Sequence, residues 1–145
     1  MTGAYVFDTE AIIAFLYDEP GHEVVADLLT DVFEGETTGL LTETNASEVF
    51  YLVARFEGSD DHPTDASLRT ADRDVRTLQR HGLRVERADW WLAGEVKADG
   101  HISLADAHAV ALARERDATL VVGGDDDFAD LPVGVDLFQF RDHAV

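Results

Sequence analysis

Ser103-Leu104-Ala105-Asp106-Ala107-His108-Ala109-Val110-Ala111-Leu112-Ala113-Arg114-Glu115-Arg116, followed after two residues by Thr119-Leu120-Val121-Val122-Gly123-Gly124-Asp125, is the stretch that decides the fold. The first part is rich in alanine and free of glycine and proline, which predicts a helix over 103–116. The second is an unbroken apolar, β-branched run that stops at two glycines. A strand exposed on one face would alternate; an unbroken run predicts a strand buried on both faces. A helix that feeds such a strand is half of a βαβ unit, and therefore predicts a parallel sheet covered by helices on both sides.

The same alternation runs outward from there. Ala4-Tyr5-Val6-Phe7, Gly39-Leu40-Leu41-Thr42, Leu83 to Glu86 and Val135 to Phe140 read as further strands. Helical spacing is present over 12–17, 22–33, 46–56, 64–80 and 89–98, with a short helical turn at 125–129. Loops fall at Pro20-Gly21, 35–38 and 57–63. No repeat or low-complexity segment interrupts the pattern. A chain of 145 residues in this arrangement predicts one α/β domain over 1–145.

In open parallel sheets, ligands bind just beyond the carboxyl ends of the strands. Two acids stand there at once: Asp8 after the first strand, and Asp125 after the 119–122 strand. Glu48 and Asp106 stand in the first turns of helices. Capping is the plain alternative for all four. Asp is a favoured N-cap, and both Ser103-Leu104-Ala105-Asp106 and Asn45-Ala46-Ser47-Glu48 read as capping boxes. Against it, all four lie beside apolar runs. Convergent carboxylates would repel and raise one another's pKa unless a cation joined them. With no cysteine and histidines without ligand spacing, hard Mg²⁺ or Mn²⁺ on carboxylate oxygens is the metal chemistry left open.

Composition bounds the rest. Eleven Lys and Arg against thirty Asp and Glu leave a net charge of −19, so general electrostatic capture of nucleic acid is excluded as a starting idea. The absence of cysteine excludes disulfides, thiolate zinc and thiol nucleophiles. No apolar run reaches the ~18 residues of a membrane span, and no basic leader opens the chain, so the expectation is a cytoplasmic protein without membrane contact. Lys97 is the only lysine. Acid in excess with lysine nearly absent points to a halophile, because salt near 1 M cuts the Debye length to about 3 Å and screens self-repulsion.

Val6-Phe7-Asp8-Thr9, Asn45-Ala46-Ser47-Glu48-Val49, Ser103-Leu104-Ala105-Asp106-Ala107 and Gly124-Asp125-Asp126-Asp127-Phe128 resemble, in order and spacing, the four motifs of PIN domains, and the whole chain resembles VapC-type toxins of toxin–antitoxin pairs. The resemblance implies an α/β/α sandwich and a Mg²⁺- or Mn²⁺-dependent endoribonuclease. It makes Asp8, Glu48, Asp106 and Asp125 the metal-binding and catalytic acids, with Asp127 a fifth candidate ligand. Water activated by the metal would hydrolyse RNA to a 5′-phosphate and a 3′-hydroxyl. The resemblance also implies an inhibitory antitoxin and a homodimer. Two positions depart from the family pattern. Gly123 stands where the family often has Thr or Ser, and Glu10 stands where it often has Ser, placing an extra negative charge near the site.

Other features invite two readings each. Arg69, Arg73, Arg76 and Arg80 step by helical turns and form one stripe, opposite Leu68, Ala71, Val75 and Leu78. The stripe is either a solvated face with i, i+4 pairs to Asp65 and Asp72, or a local basic strip for RNA or an acidic partner. Trp90 and Trp91 would serve as a base-stacking platform, though one core and one interface ring is the plainer expectation. Phe15, Tyr17, Phe50, Tyr51 and Phe56 either fill the core or line a groove for an amphipathic partner helix. Two further functions remain as alternatives: a nuclease-dead PIN fold that only binds a partner, and a haloacid-dehalogenase-like phosphatase, suggested by Gly124-Asp125 with Asp130.

Overall fold

The structure, a computed structural model, describes residues 3–124, 128 and 131–143. Its elements follow in the order β1 (Ala4–Phe7), α1 (Thr9–Tyr17), α2 (His22–Phe33), β2 (Thr38–Thr42), α3 (Glu43–Phe56), α4 (Asp65–His81), β3 (Arg84–Glu86), α5 (Trp90–Asp99), α6 (Leu104–Arg116), β4 (Thr119–Val122) and β5 (Asp136–Gln139), closed by a 3₁₀ turn at Phe140–His143. All strand pairings are parallel, and the sheet order is β3-β2-β1-β4-β5.

Why the central strands carry adjacent apolar residues is visible in the two cores. Phe7, Leu41 and Val121 face one side and pack under α1 to α4. Their neighbours Val6, Leu40, Leu120 and Val122 face the other side and pack under α5 and α6. The three central strands β1, β2 and β4 are thus covered on both faces, and the expected three-layer α/β/α architecture is present. Helix α6 buries Ala105, Ala107, Ala109, Val110, Ala111, Leu112 and Ala113, nearly its whole circumference. Alanine suits this position, because small side chains let a helix lie close to the sheet and to α5 and α3 together.

The element boundaries correct the sequence reading in places. Helix α3 starts at Glu43 rather than at residue 46, because Thr42 is its N-cap and accepts a bond from the Asn45 N–H. The expected capping box on Asn45 is therefore absent. Helix α1 begins at Thr9, directly after Asp8. Trp90 and Trp91 are 75% and 62% exposed, so neither is a core ring; Ala93 and Val96 bury α5 instead. Phe15, Tyr17 and Phe50 pack at the edge of the core, while Tyr51 and Phe56 are exposed. The helical turn expected at 125–129 lies largely outside the described residues. Among the described residues, no helix is long and apolar enough to cross a membrane.

The chain lays β1, β2 and β3 outward in one direction, then returns through α6 to place β4 on the opposite side of β1. The connections leaving β1 and β4 therefore part at their carboxyl ends. Such a switch point opens a crevice, and Asp8 stands at it.

Candidate metal centre

Three of the expected acids meet at that crevice. Asp8, Glu48 and Asp106 line one cavity of about 280 Å³ with Thr9, Glu10, Ile13, Leu52 and Ser103. Asp125 and Asp127, expected to join them, lie outside the described residues.

Asp8 extends the β1 ladder, its N–H donating to the Val121 carbonyl of β4 at 3.1 Å. Its side chain caps α1 by accepting from the Ala11 N–H at 2.8 Å. The capping expectation is thus correct for Asp8, and it accounts for only part of the carboxylate. Asp8 is 2% exposed. Burial, and then the charges of Asp106, Glu10 and Glu48, push its pKa well above the ordinary Asp range, against the opposing pull of the Ala11 bond. A buried acid ringed by acids has a field that a cation would relieve.

Glu48 is brought to Asp8 by a buried polar network that the sequence did not disclose. The Asn45 side-chain amide donates to Thr9 Oγ1 at 2.9 Å, and the Thr42 hydroxyl donates to Asn45 Oδ1 at 2.5 Å. Thr9, Thr42 and Asn45 are all buried. The network pins the first turn of α3 to the first turn of α1. Glu48 is one turn beyond Asn45, and Asp8 is next to Thr9, so one set of bonds fixes both. Asp106 sits in the first turn of α6, where Ser103 caps its backbone N–H at 3.1 Å. The end of β1, the second turn of α3 and the first turn of α6 thus converge; Glu48, expected in a first turn, stands one turn further along because α3 starts at Glu43.

As they stand, no three His, Asp or Glu side chains among the described residues are set to grip an ion. Among the described residues, the side-chain donors of the lining nonetheless fit a hard divalent cation: oxygens only, from carboxylates and the hydroxyls of Thr9 and Ser103, at a cavity open to solvent, around an acid whose charge burial disfavours. Glu10 belongs to the same lining and pairs with Arg141, a partner that no sequence signal indicated.

The arginine stripe lies elsewhere. Arg69, Arg73, Arg76 and Arg80 are exposed on α4 and are not part of the cavity lining. Arg76 pairs with Asp72 at 2.7 Å, as helical spacing leads one to expect, and Arg80 donates to Thr77 Oγ1. Ala71 and Leu78 are buried behind them, while Leu68 remains exposed.

Comparison with known proteins agrees with this fold. Residues 5–134 match the model of the PIN domain. No curated protein sequence matches the chain. Among solved structures, VapBC2 from Rickettsia felis, bound to a DNA fragment from its promoter, superposes with a TM-score of 0.69 at 14% identity, covering 93% of this chain and 97% of that one. FitAcB from Neisseria gonorrhoeae gives 0.63 at 19% identity, with 94% and 97% covered. VapC20 from Mycobacterium tuberculosis, described as a sarcin–ricin loop cleaving toxin, gives 0.60 at 16% identity, with 86% and 92% covered. At these identities the likeness is one of fold. The family match leaves the haloacid-dehalogenase-like alternative without support: by motif, by sheet and by family model, the chain belongs to the PIN-domain family.

Proposed function

We propose that this chain is a Mg²⁺- or Mn²⁺-dependent endoribonuclease of the VapC toxin type, restrained by a cognate antitoxin. The observation that carries the reading is Asp8: a buried carboxylate, made uncomfortable by Glu48 and Asp106, in a solvent-open cavity at the switch point of a PIN-domain sheet. Asp8, Glu48, Asp106 and Asp125 would hold the ion, with Asp127 at its edge. When bound, the ion supplies activation of water and neutralisation of the charge that develops on the phosphate. The chain itself holds the acids at fixed depth, through the Asp8 and Ser103 caps and the Thr42–Asn45–Thr9 network. It also leaves one side open to an RNA strand, and a carboxylate of the set orients the attacking water and accepts its proton.

Support for the toxin context comes from the structural neighbours, among which VapBC and FitAB assemblies recur. The exposed Tyr51 and Phe56 on α3, with Tyr17 packed edge-on against Phe56 at 5.3 Å, offer an apolar surface for an antitoxin helix. A homodimer would cover Trp90 and Trp91. The arginine stripe would give an otherwise acidic chain a place to hold an RNA backbone, in a cytoplasm salty enough to screen the rest.

Incubation of purified protein with total RNA tests the reading. Cleavage is expected with Mg²⁺ or Mn²⁺, leaving 5′-phosphate ends, and is expected to stop with chelator or with Asp8→Asn. Activity that survives chelator or that substitution, or products with 2′,3′-cyclic phosphate, would overturn it. No cleavage under any condition, with antitoxin binding intact, would favour the partner-binding module instead.

A further inference from the structure

Glu10 and Gly123 are explained by one residue at the far end of the chain. Arg141 pairs through Nη1 with Glu10 Oε1. A Cβ placed on Gly123 would lie 2.7 Å from Arg141 Nη1 and 2.7 Å from both Cδ and Oε1 of Glu10. The ion pair therefore rests directly on the Gly123 backbone, in the space a side chain would fill. Arg141 is itself seated: its Nε donates to the Pro20 carbonyl at 3.2 Å, and Nη2 stands 3.8 Å from Glu19 Oε1. The preceding residue, Phe140, is fully buried. It lies on a second glycine, Gly21, whose φ is +88° and where a Cβ would fall 2.7 Å from the Phe140 ring. Two glycines thus clear room for two consecutive residues of the closing 3₁₀ turn, whose His143 stacks on Phe138 at 4.5 Å.

The setting gives this pair a consequence. Among the described residues, the cavity lining contains four acids, Asp8, Glu10, Glu48 and Asp106, and no basic side chain. Arg141 brings a cation to one of them, Glu10. We propose that Arg141 is a positioning residue for the acid cavity: it holds the Glu10 carboxylate on Gly123 at the rim and offsets its charge, so setting how strongly the cavity attracts a divalent cation. Glu10 alone would add one more negative charge beside the ion. Paired with Arg141, it adds little net charge to the cavity. The C-terminal turn becomes part of the site, tied to it by residues 131 positions apart.

This inference rests on the metal-centre reading, and calorimetric titration of the metal-free, full-length protein with Mn²⁺ at one fixed ionic strength separates the two. Arg141→Gln is expected to tighten Mn²⁺ binding about three- to tenfold by unmasking Glu10, and Glu10→Gln to weaken it by about the same factor. The double variant is expected within about twofold of the wild type, as is Arg141→Lys, which keeps the charge. A purely structural arginine would lower the melting temperature of Arg141→Gln and leave Mn²⁺ affinity unmoved, which overturns the proposal. If Arg141→Gln does not fold, Glu10→Gln and Arg141→Lys decide: unchanged affinity in the first, or a lysine variant that behaves unlike the wild type, overturns it. Wild-type protein that binds no Mn²⁺ would defeat the metal centre itself, and this inference with it.

Discussion

At the scale of the residue, Asp8 is an acid that folding places under stress. Its folded pKa is raised, first by burial and then by Asp106, Glu10 and Glu48. A group whose pKa rises on folding contributes stability that is present below its unfolded value, near 3.9 for Asp, and is lost as pH climbs through the folded value. In metal-free protein, Asp8→Asn is therefore expected to raise the melting temperature by a few degrees at neutral pH. It is also expected to flatten the gain in stability on mild acidification, since an Asn side chain still caps α1. With saturating Mn²⁺ the order is expected to reverse, because only the wild type gains from binding; paired melting curves in chelator and in Mn²⁺ read both signs. Asn45→Ala should cost about 1–3 kcal/mol in denaturant unfolding, as it removes the amide that donates to the buried Thr9 hydroxyl and the oxygen that accepts from the Thr42 hydroxyl, while the backbone bond to Thr42 remains. RNA cleavage should fall with it, because Glu48 loses its register against Asp8. Asp8 was legible because a lone acid ended an apolar run. Asn45 was misread as a cap because Thr42, Thr44, Asn45 and Ser47 are all cap-formers, and only a bond 36 residues away decides among them. Arg141 gave no signal, since nothing local links it to Glu10.

Elements were easier to read than the contacts between them. The 119–122 strand and the helix before it stand where the unbroken apolar run and the alanine-rich stretch placed them, because each is buried on almost every side and tolerates little else. Helix starts moved where several polar residues competed for the cap. Helix α5 shows the limit of reading aromatics as core: Asp89 caps it through the Trp91 N–H, and that phase turns Ala93 and Val96 inward and both indoles outward. Helix α4 is amphipathic as expected, with its arginines on the solvent side and Ala71 and Leu78 behind. Arg73→Ala with Arg80→Ala should leave the melting temperature within a degree or two, since exposed ion pairs contribute little. The same pair should weaken RNA binding about tenfold at low salt by removing two backbone contacts. Unchanged RNA and antitoxin affinities would reduce the stripe to a solvated face.

Over the whole molecule, sheet order and charge matter most. The order β3-β2-β1-β4-β5 splits the chain's path at β1, and it is this split, not any one motif, that gathers acids from the start, middle and later part of the sequence. Alternating strands and helices foretold a covered parallel sheet, but not which strands are neighbours, because pairing joins segments far apart in the chain and leaves no local signal. A net charge of −19 is a global repulsion that salt should relieve. The melting temperature is expected to rise as KCl increases from about 0.1 M to about 1 M, and a fall would argue against adaptation to salt. The convergence of acids on a divalent ion is tested most directly by anomalous scattering from crystals soaked in Mn²⁺. One strong manganese peak is expected between Asp8, Glu48 and Asp106, with Asp125 closing the shell, and it should vanish in Asp8→Asn crystals. Well-ordered density for those three acids with no manganese between them, or a manganese peak elsewhere that Asp8→Asn leaves in place, would contradict the metal centre.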